Sequence, residues 1–95
     1  MTTMPQHNAV PIPSKTSVSR VMAGSAILLD ASDDSIHRLN GVGTFVWNLI
    51  TDKKNTVREI IELVVKEFAI DQQTARKDVE DFLLELQTRR FIDFQ

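Results

Sequence analysis

Residues 35 to 50 constrain this chain more than any other stretch. A short β-prone run, Ser35, Ile36, His37, Arg38 and Leu39, ends at Asn40. The Asn40 side-chain oxygen is suited to accept an orphan backbone N–H and so to start a helix. Beyond it Val42, Phe45, Val46, Trp47, Leu49 and Ile50 cover most of a helix's circumference, the pattern of a buried helix. Gly41 and Gly43 weaken helix propensity there but allow close backbone approach. A strand that runs straight into a buried helix marks the joint between a sheet and a helical layer.

Upstream of the joint the pattern is β. Residues 18–23 and 26–30 are two β-prone runs, with Gly24 and Ser25 suited to a tight hairpin between them. Ser32, Asp33 and Asp34 suit a second turn, since short polar side chains bond their own backbone. Residues 35–39 then form the third strand of a meander. Its alternation sets Ser35, His37 and Leu39 on one face and Ile36 and Arg38 on the other. Neither face is cleanly apolar, which predicts a short edge strand.

Downstream the pattern is helical. Thr56 followed by Glu59 fits a capping box, and Val57, Ile60, Ile61, Val64, Val65 and Phe68 form one stripe of a second helix. Asp71 opens a third helix with favourable charge at its N-terminus. Ala75, Val79, Phe82, Leu83 and Leu86 are its core stripe, with Arg89 and Arg90 in the last turn. Leu84 points almost opposite that stripe, either as an ordinary exposed leucine or as part of a binding groove. Phe91, Ile92, Asp93 and Phe94 form an apolar tail able to pack back on the sheet or helices. Three strands followed by three helices predict an α+β fold with the helices on one side of an antiparallel sheet.

Residues 1–16 carry all three prolines, Pro5, Pro11 and Pro13, among polar residues. Proline resists both helix and central strand, so a mobile or extended tail is expected there, with one domain over residues 17–95. Such a tail is either a disordered terminus or an arm exchanged with a neighbouring subunit.

Ninety-five residues suffice for one core. The chain has no cysteine, which excludes disulfides and thiolate metal sites. No secretory signal or run long enough to span a bilayer is visible, so a cytoplasmic protein is expected. The polar cluster from Asp30 to His37 lacks the ligand spacing of a calcium loop. His37 has no nucleophile near it in sequence, and no phosphate loop or metalloprotease motif occurs. No catalytic residue, metal or cofactor is therefore assigned. A helix-turn-helix reading would make the third helix a DNA reader. That helix carries Arg76 and Lys77 against Asp71, Asp78, Glu80, Asp81 and Glu85, a surface that repels phosphates. The residues leave open a peptide-binding module using the edge strand, a winged-helix nucleic-acid binder or regulator, and a scaffold or dimerisation domain.

The order of Ile27-Leu28-Leu29-Asp30, an acidic turn, His37-Arg38-Leu39-Asn40, an apolar helix, Thr56-Val57-Arg58-Glu59-Ile60-Ile61 and residues 78–86 resembles the PqqD family over about residues 18 to 93. The family is named for pyrroloquinoline quinone biosynthesis. The resemblance implies a winged-helix-like domain that binds the leader of a ribosomally made precursor peptide. There the leader adds as a strand beside the third strand, against the third helix, and is presented to a modifying enzyme, often a radical S-adenosylmethionine enzyme. Carried onto this chain, the implied peptide site is Ser35, Ile36, His37, Arg38 and Leu39, with Arg76, Lys77, Glu80, Asp81, Leu83 and Leu84 as helix wall. The product could be the quinone or another peptide, the lasso type included. A homodimer is also compatible.

Overall fold

The computed structural model describes residues 6–30 and 34–95. In chain order its elements are β1 (Pro11–Pro13), β2 (Val18–Met22), β3 (Ser25–Asp30), β4 (Ser35–Arg38), α1 (Gly41–Thr51), α2 (Val57–Phe68), α3 (Gln72–Thr88) and β5 (Ile92–Phe94). The expected antiparallel meander is present, with strand order β2-β3-β4, and three helices follow it. The fold is α+β. A second sheet, β1 with β5, was not expected.

The hairpin turn sits one residue earlier than the sequence suggests. Met22 pairs with Ser25, and Ala23 and Gly24 form the two-residue loop with φ of 53° and 80°. Positive φ at both central residues matches the right-handed twist of the flanking strands. Of the expected second turn only Asp34 lies within the described residues, with φ 57°.

All three helix starts follow their local signals. Gly43 N–H donates to Asn40 Oδ1 at 2.7 Å, and Thr74 N–H donates to Asp71 Oδ2 at 2.9 Å. Glu59 N–H donates to Thr56 Oγ1 at 3.1 Å while Thr56 N–H donates to Glu59 Oε1 at 2.9 Å. The Thr56 backbone N–H and hydroxyl hold the Glu59 carboxyl below its ordinary range. Bonds from the Thr74 hydroxyl and N–H do the same for Asp71.

The described part of the N-terminal segment, expected as a mobile or extended tail, is extended and paired with the C-terminus. Val10 and Gln95 exchange both backbone hydrogen bonds, at 3.0 and 2.8 Å, and Ser14 N–H donates to Phe91 O at 2.9 Å. Along an antiparallel pair, bonded and non-bonded positions alternate. Pro11 and Pro13, opposite Phe94 and Ile92, therefore fall on non-bonded positions, where a missing N–H costs nothing. The same segment finishes α2. Val57 N–H donates to Ala9 O at 2.9 Å and Arg58 N–H to His7 O at 3.0 Å, so helix donors that ordinarily face water are satisfied.

The core is built mainly by the helices. Val46, Trp47 and Ile50 of α1 meet Val57, Ile60, Ile61 and Val64 of α2 and Ala75, Val79, Leu83 and Leu86 of α3. The three-stranded sheet adds only Ala26 and Leu28, and the C-terminal segment adds Phe91 and Ile92. Sheet and helices are stitched at their joint by Thr44. Its hydroxyl accepts from Ala26 N–H at 2.9 Å and donates to Leu39 O at 3.3 Å.

Candidate peptide-binding edge and groove

β4 is an edge strand, and its register decides which of its groups face outward. Leu39 N–H donates to Ala26 O at 2.8 Å, and Leu28 pairs with His37 and Asp30 with Ser35. By alternation His37 belongs to the bonded positions of the β3 ladder. The backbone N–H and C=O of Ile36 and Arg38 then point away from β3 into the open edge. Two donors and two acceptors at a strand's spacing are what an incoming extended peptide needs.

Side chains on the helix-facing side give this edge a floor. Ser35 Oγ lies 3.0 Å from His37 Nε2. The His37 ring meets Phe91 edge-on, with centroids 5.4 Å apart and planes at 74°. Ile36 and Arg38 are exposed on the opposite face.

Beyond the end of β4 a cleft of about 390 Å³ opens between the start of α1 and α3. Asn40, Val42, Gly43 and Val46 line one side, and Asp78, Val79, Asp81, Phe82 and Glu85 the other. Gly43 permits the approach. A Cβ there would come within 3.1 Å of Asn40 Oδ1, 3.3 Å of Leu39 Cβ and 3.4 Å of Phe82 Cζ. The cleft mixes the apolar side chains of Val42, Val46, Val79 and Phe82 with the carboxylates of Asp78, Asp81 and Glu85. Glu85 is paired with Arg89 at 3.4 Å.

The sequence profile of the family described as Coenzyme PQQ synthesis protein D (PqqD) matches residues 25–92 of this chain. The chain belongs to the PqqD family. A solved structure described as TbiB1 in complex with the TbiA(beta) leader peptide superposes with a TM-score of 0.78. It is 24% identical, over 86% of this chain and 94% of the other. That likeness shows a shared fold. No curated protein sequence matches.

In this PqqD-family chain the helix residues expected as a wall fall on different sides of α3. Asp81 lines the cleft. Leu83 is 0% exposed and belongs to the core. Glu80 is buried on the far flank, its Oε2 2.8 Å from His7 Nε2 and its Oε1 3.7 Å from Arg76 Nε. Arg76 and Lys77 share a separate hollow with Gln73, Thr74 and Glu80. Leu84 is half-buried outside the main core cluster. At 100° per residue, Asp78, Phe82, Glu85 and Arg89 lie within about 60° of one another on the cleft-facing flank. Sequence periodicity placed Phe82 with the core stripe. Its partial exposure beside Gly43 gives it a second surface.

Among the described residues no His, Asp and Glu converge in a set able to hold a metal. No helix there is long and apolar enough to cross a membrane.

Proposed function

We propose that this chain binds the leader of a ribosomally made precursor peptide by strand addition along β4 and presents it to a modifying enzyme. The observation that carries this reading is the outward row of backbone groups on Ile36 and Arg38, with a cleft of mixed apolar and acidic lining between α1 and α3 beyond the strand's end. Membership of the PqqD family supports it, as does the shared fold with a protein solved in complex with a leader peptide. Main-chain hydrogen bonds supply sequence-tolerant affinity, while side-chain pockets supply selection.

In this reading Ser35, Ile36, His37, Arg38 and Leu39 form the strand, as the sequence suggests, and the helix wall becomes Asp78, Asp81, Phe82 and Glu85. An apolar leader side chain enters between Val42 and Phe82, and the three carboxylates favour basic neighbours on the peptide. The domain acts by holding its ligand, with no catalytic residue of its own. The modifying enzyme, of the radical S-adenosylmethionine class or another, supplies the chemistry.

Titration with leader peptides from adjoining precursor genes tests this, read by backbone amide shifts and Trp47 fluorescence. Saturable shifts at β4 and the cleft-facing flank of α3 are expected. Two proline variants sharpen the result. Ile36→Pro removes an outward N–H and should abolish leader binding while the fold persists. His37→Pro removes a ladder N–H and should destabilise the sheet itself. Full leader affinity in folded Ile36→Pro protein rules out strand addition at this edge.

A further inference from the structure

The outer face of the three-stranded sheet, turned away from the helices, has no partner among the described residues. The large apolar residues most exposed among the described ones all lie in this sheet: Val18 at 47%, Val21 at 60%, Met22 at 55% and Ile36 at 69%. Val21 pairs with the buried Ala26 and so lies on the helix-facing side of the sheet, whereas Val18, Met22 and Ile36 lie on the outer face. Val18 faces Leu29, which faces Ile36, so one apolar row crosses all three strands. In the next row Arg20 faces Ile27, which faces Arg38. The two arginines thus flank an isoleucine, about 10 Å apart at two strand spacings. Met22 extends the face beyond them. β2 also overhangs the helices, since every residue in it is exposed.

The charge of this face runs against that of the molecule. The chain carries 11 basic and 13 acidic residues. Among the described residues of β2, β3 and β4, the outward positions hold Arg20 and Arg38 and no carboxylate. Neither arginine forms an ion pair with another described residue. A second copy docked face to face would bring four guanidiniums into one apolar contact, which like-charge repulsion disfavours. The complementary occupant is an apolar strip rimmed by carboxylates.

We propose that the outer face of β2, β3 and β4 is a docking surface for a second protein presenting acidic side chains around an apolar strip. Identifying that protein as the peptide-modifying enzyme rests on the leader-binding reading above; the docking chemistry does not. The arrangement leaves the β4 edge and the α3 cleft free for peptide while the outer face holds the partner. The two ligands then meet at β4, where Ile36 and Arg38 turn their side chains to the partner and their backbone to the peptide.

The test uses the full chain and two labelled decapeptides, one alternating Asp with Val and one alternating Lys with Val, followed by amide shifts. The acidic peptide is expected to shift Val18, Arg20, Met22, Ile27 and Leu29, and the basic one to leave them unmoved. Arg20→Glu combined with Arg38→Glu should weaken acidic-peptide binding by roughly tenfold or more, as two attractive pairs become repulsive, with the fold retained by circular dichroism. Equal binding of both peptides, no binding of either, or unchanged affinity in the double variant overturns the proposal. Concentration-dependent shifts on the same residues without peptide would assign the face to a second copy and overturn it too. Leader titration separates the two readings. Acidic-peptide binding without any leader binding keeps the docking face and removes the enzyme as its occupant. Leader binding without acidic-peptide binding removes the docking face and leaves the leader-binding reading standing.

Discussion

Ile60 in α2 and Ile36 in β4 carry the same side chain, yet one is 0% and the other 69% exposed. The contrast extends to the regions around them. The helices α1, α2 and α3 supply most of the buried apolar residues, whereas the sheet β2-β3-β4 buries Ala26 and Leu28 and displays Val18, Val21, Met22 and Ile36. Burying an aliphatic side chain stabilises by about 1.5–3 kcal/mol relative to leaving it exposed. The helical body therefore carries most of the stability, and the sheet leaves apolar surface exposed. The weakness of the sheet is offset where it joins the body, through Leu28, the Thr44 hydroxyl and the Asn40 cap.

Substitutions that exchange the roles of the two regions would break this contrast. The largest effect is expected for Ile60→Ala, about 2–5 kcal/mol of lost stability by chemical denaturation. Ile36→Ala should stay within about 0.5 kcal/mol of wild type. A comparable loss at both positions would mean that the sheet is as load-sharing as the helices. Thr44→Val comes next. It leaves the buried Ala26 N–H without its acceptor, at about 1–3 kcal/mol, and amide exchange should show β3 and β4 loosened more than α2. In the opposite direction, Ala23→Gly should stabilise by about 1 kcal/mol, because Ala23 sits at φ 53° where a Cβ is strained. Thermal denaturation would check the gain.

The smallest effect concerns the body's own cap and is read against pH. Bonds from the Thr56 backbone N–H and hydroxyl lower the Glu59 pKa in the folded state. The unfolded state therefore takes up the proton first on acidification. The stabilisation is fully present above the ordinary glutamate range and is lost as pH falls through the lowered folded value. Glu59→Gln should thus be less stable than wild type at neutral pH, with the difference shrinking in acid. A pH-independent difference would locate the effect in packing rather than in the carboxylate.

Much of the architecture was legible because its signals are local. Asn40, Thr56 with Glu59, and Asp71 each satisfy a donor three residues away, so the sequence alone carries both partners of the bond. The α2 stripe is equally plain, since its apolar spacing matches one helix face. The β1–β5 pair was missed because its partners stand at opposite ends of the chain. A trace of it exists in the spacing of Pro11 and Pro13, two residues apart, which suits the non-bonded positions of an edge strand. The His7–Glu80 contact left no such trace.

By itself the sequence determined the order of strands and helices, their caps, and the edge position of the strand at Ser35 to Arg38. Helical periodicity also fixed which residues of α3 share a flank. Only the tertiary structure decided which flank turns toward the start of α1. Phase relates side chains on one helix to each other, but not to the neighbour against which the helix docks. That choice depends on Gly43 admitting Phe82 on one side and on the N-terminal segment seating His7 against Glu80 on the other. Both are contacts between residues far apart in the chain, whose free energy no local window contains.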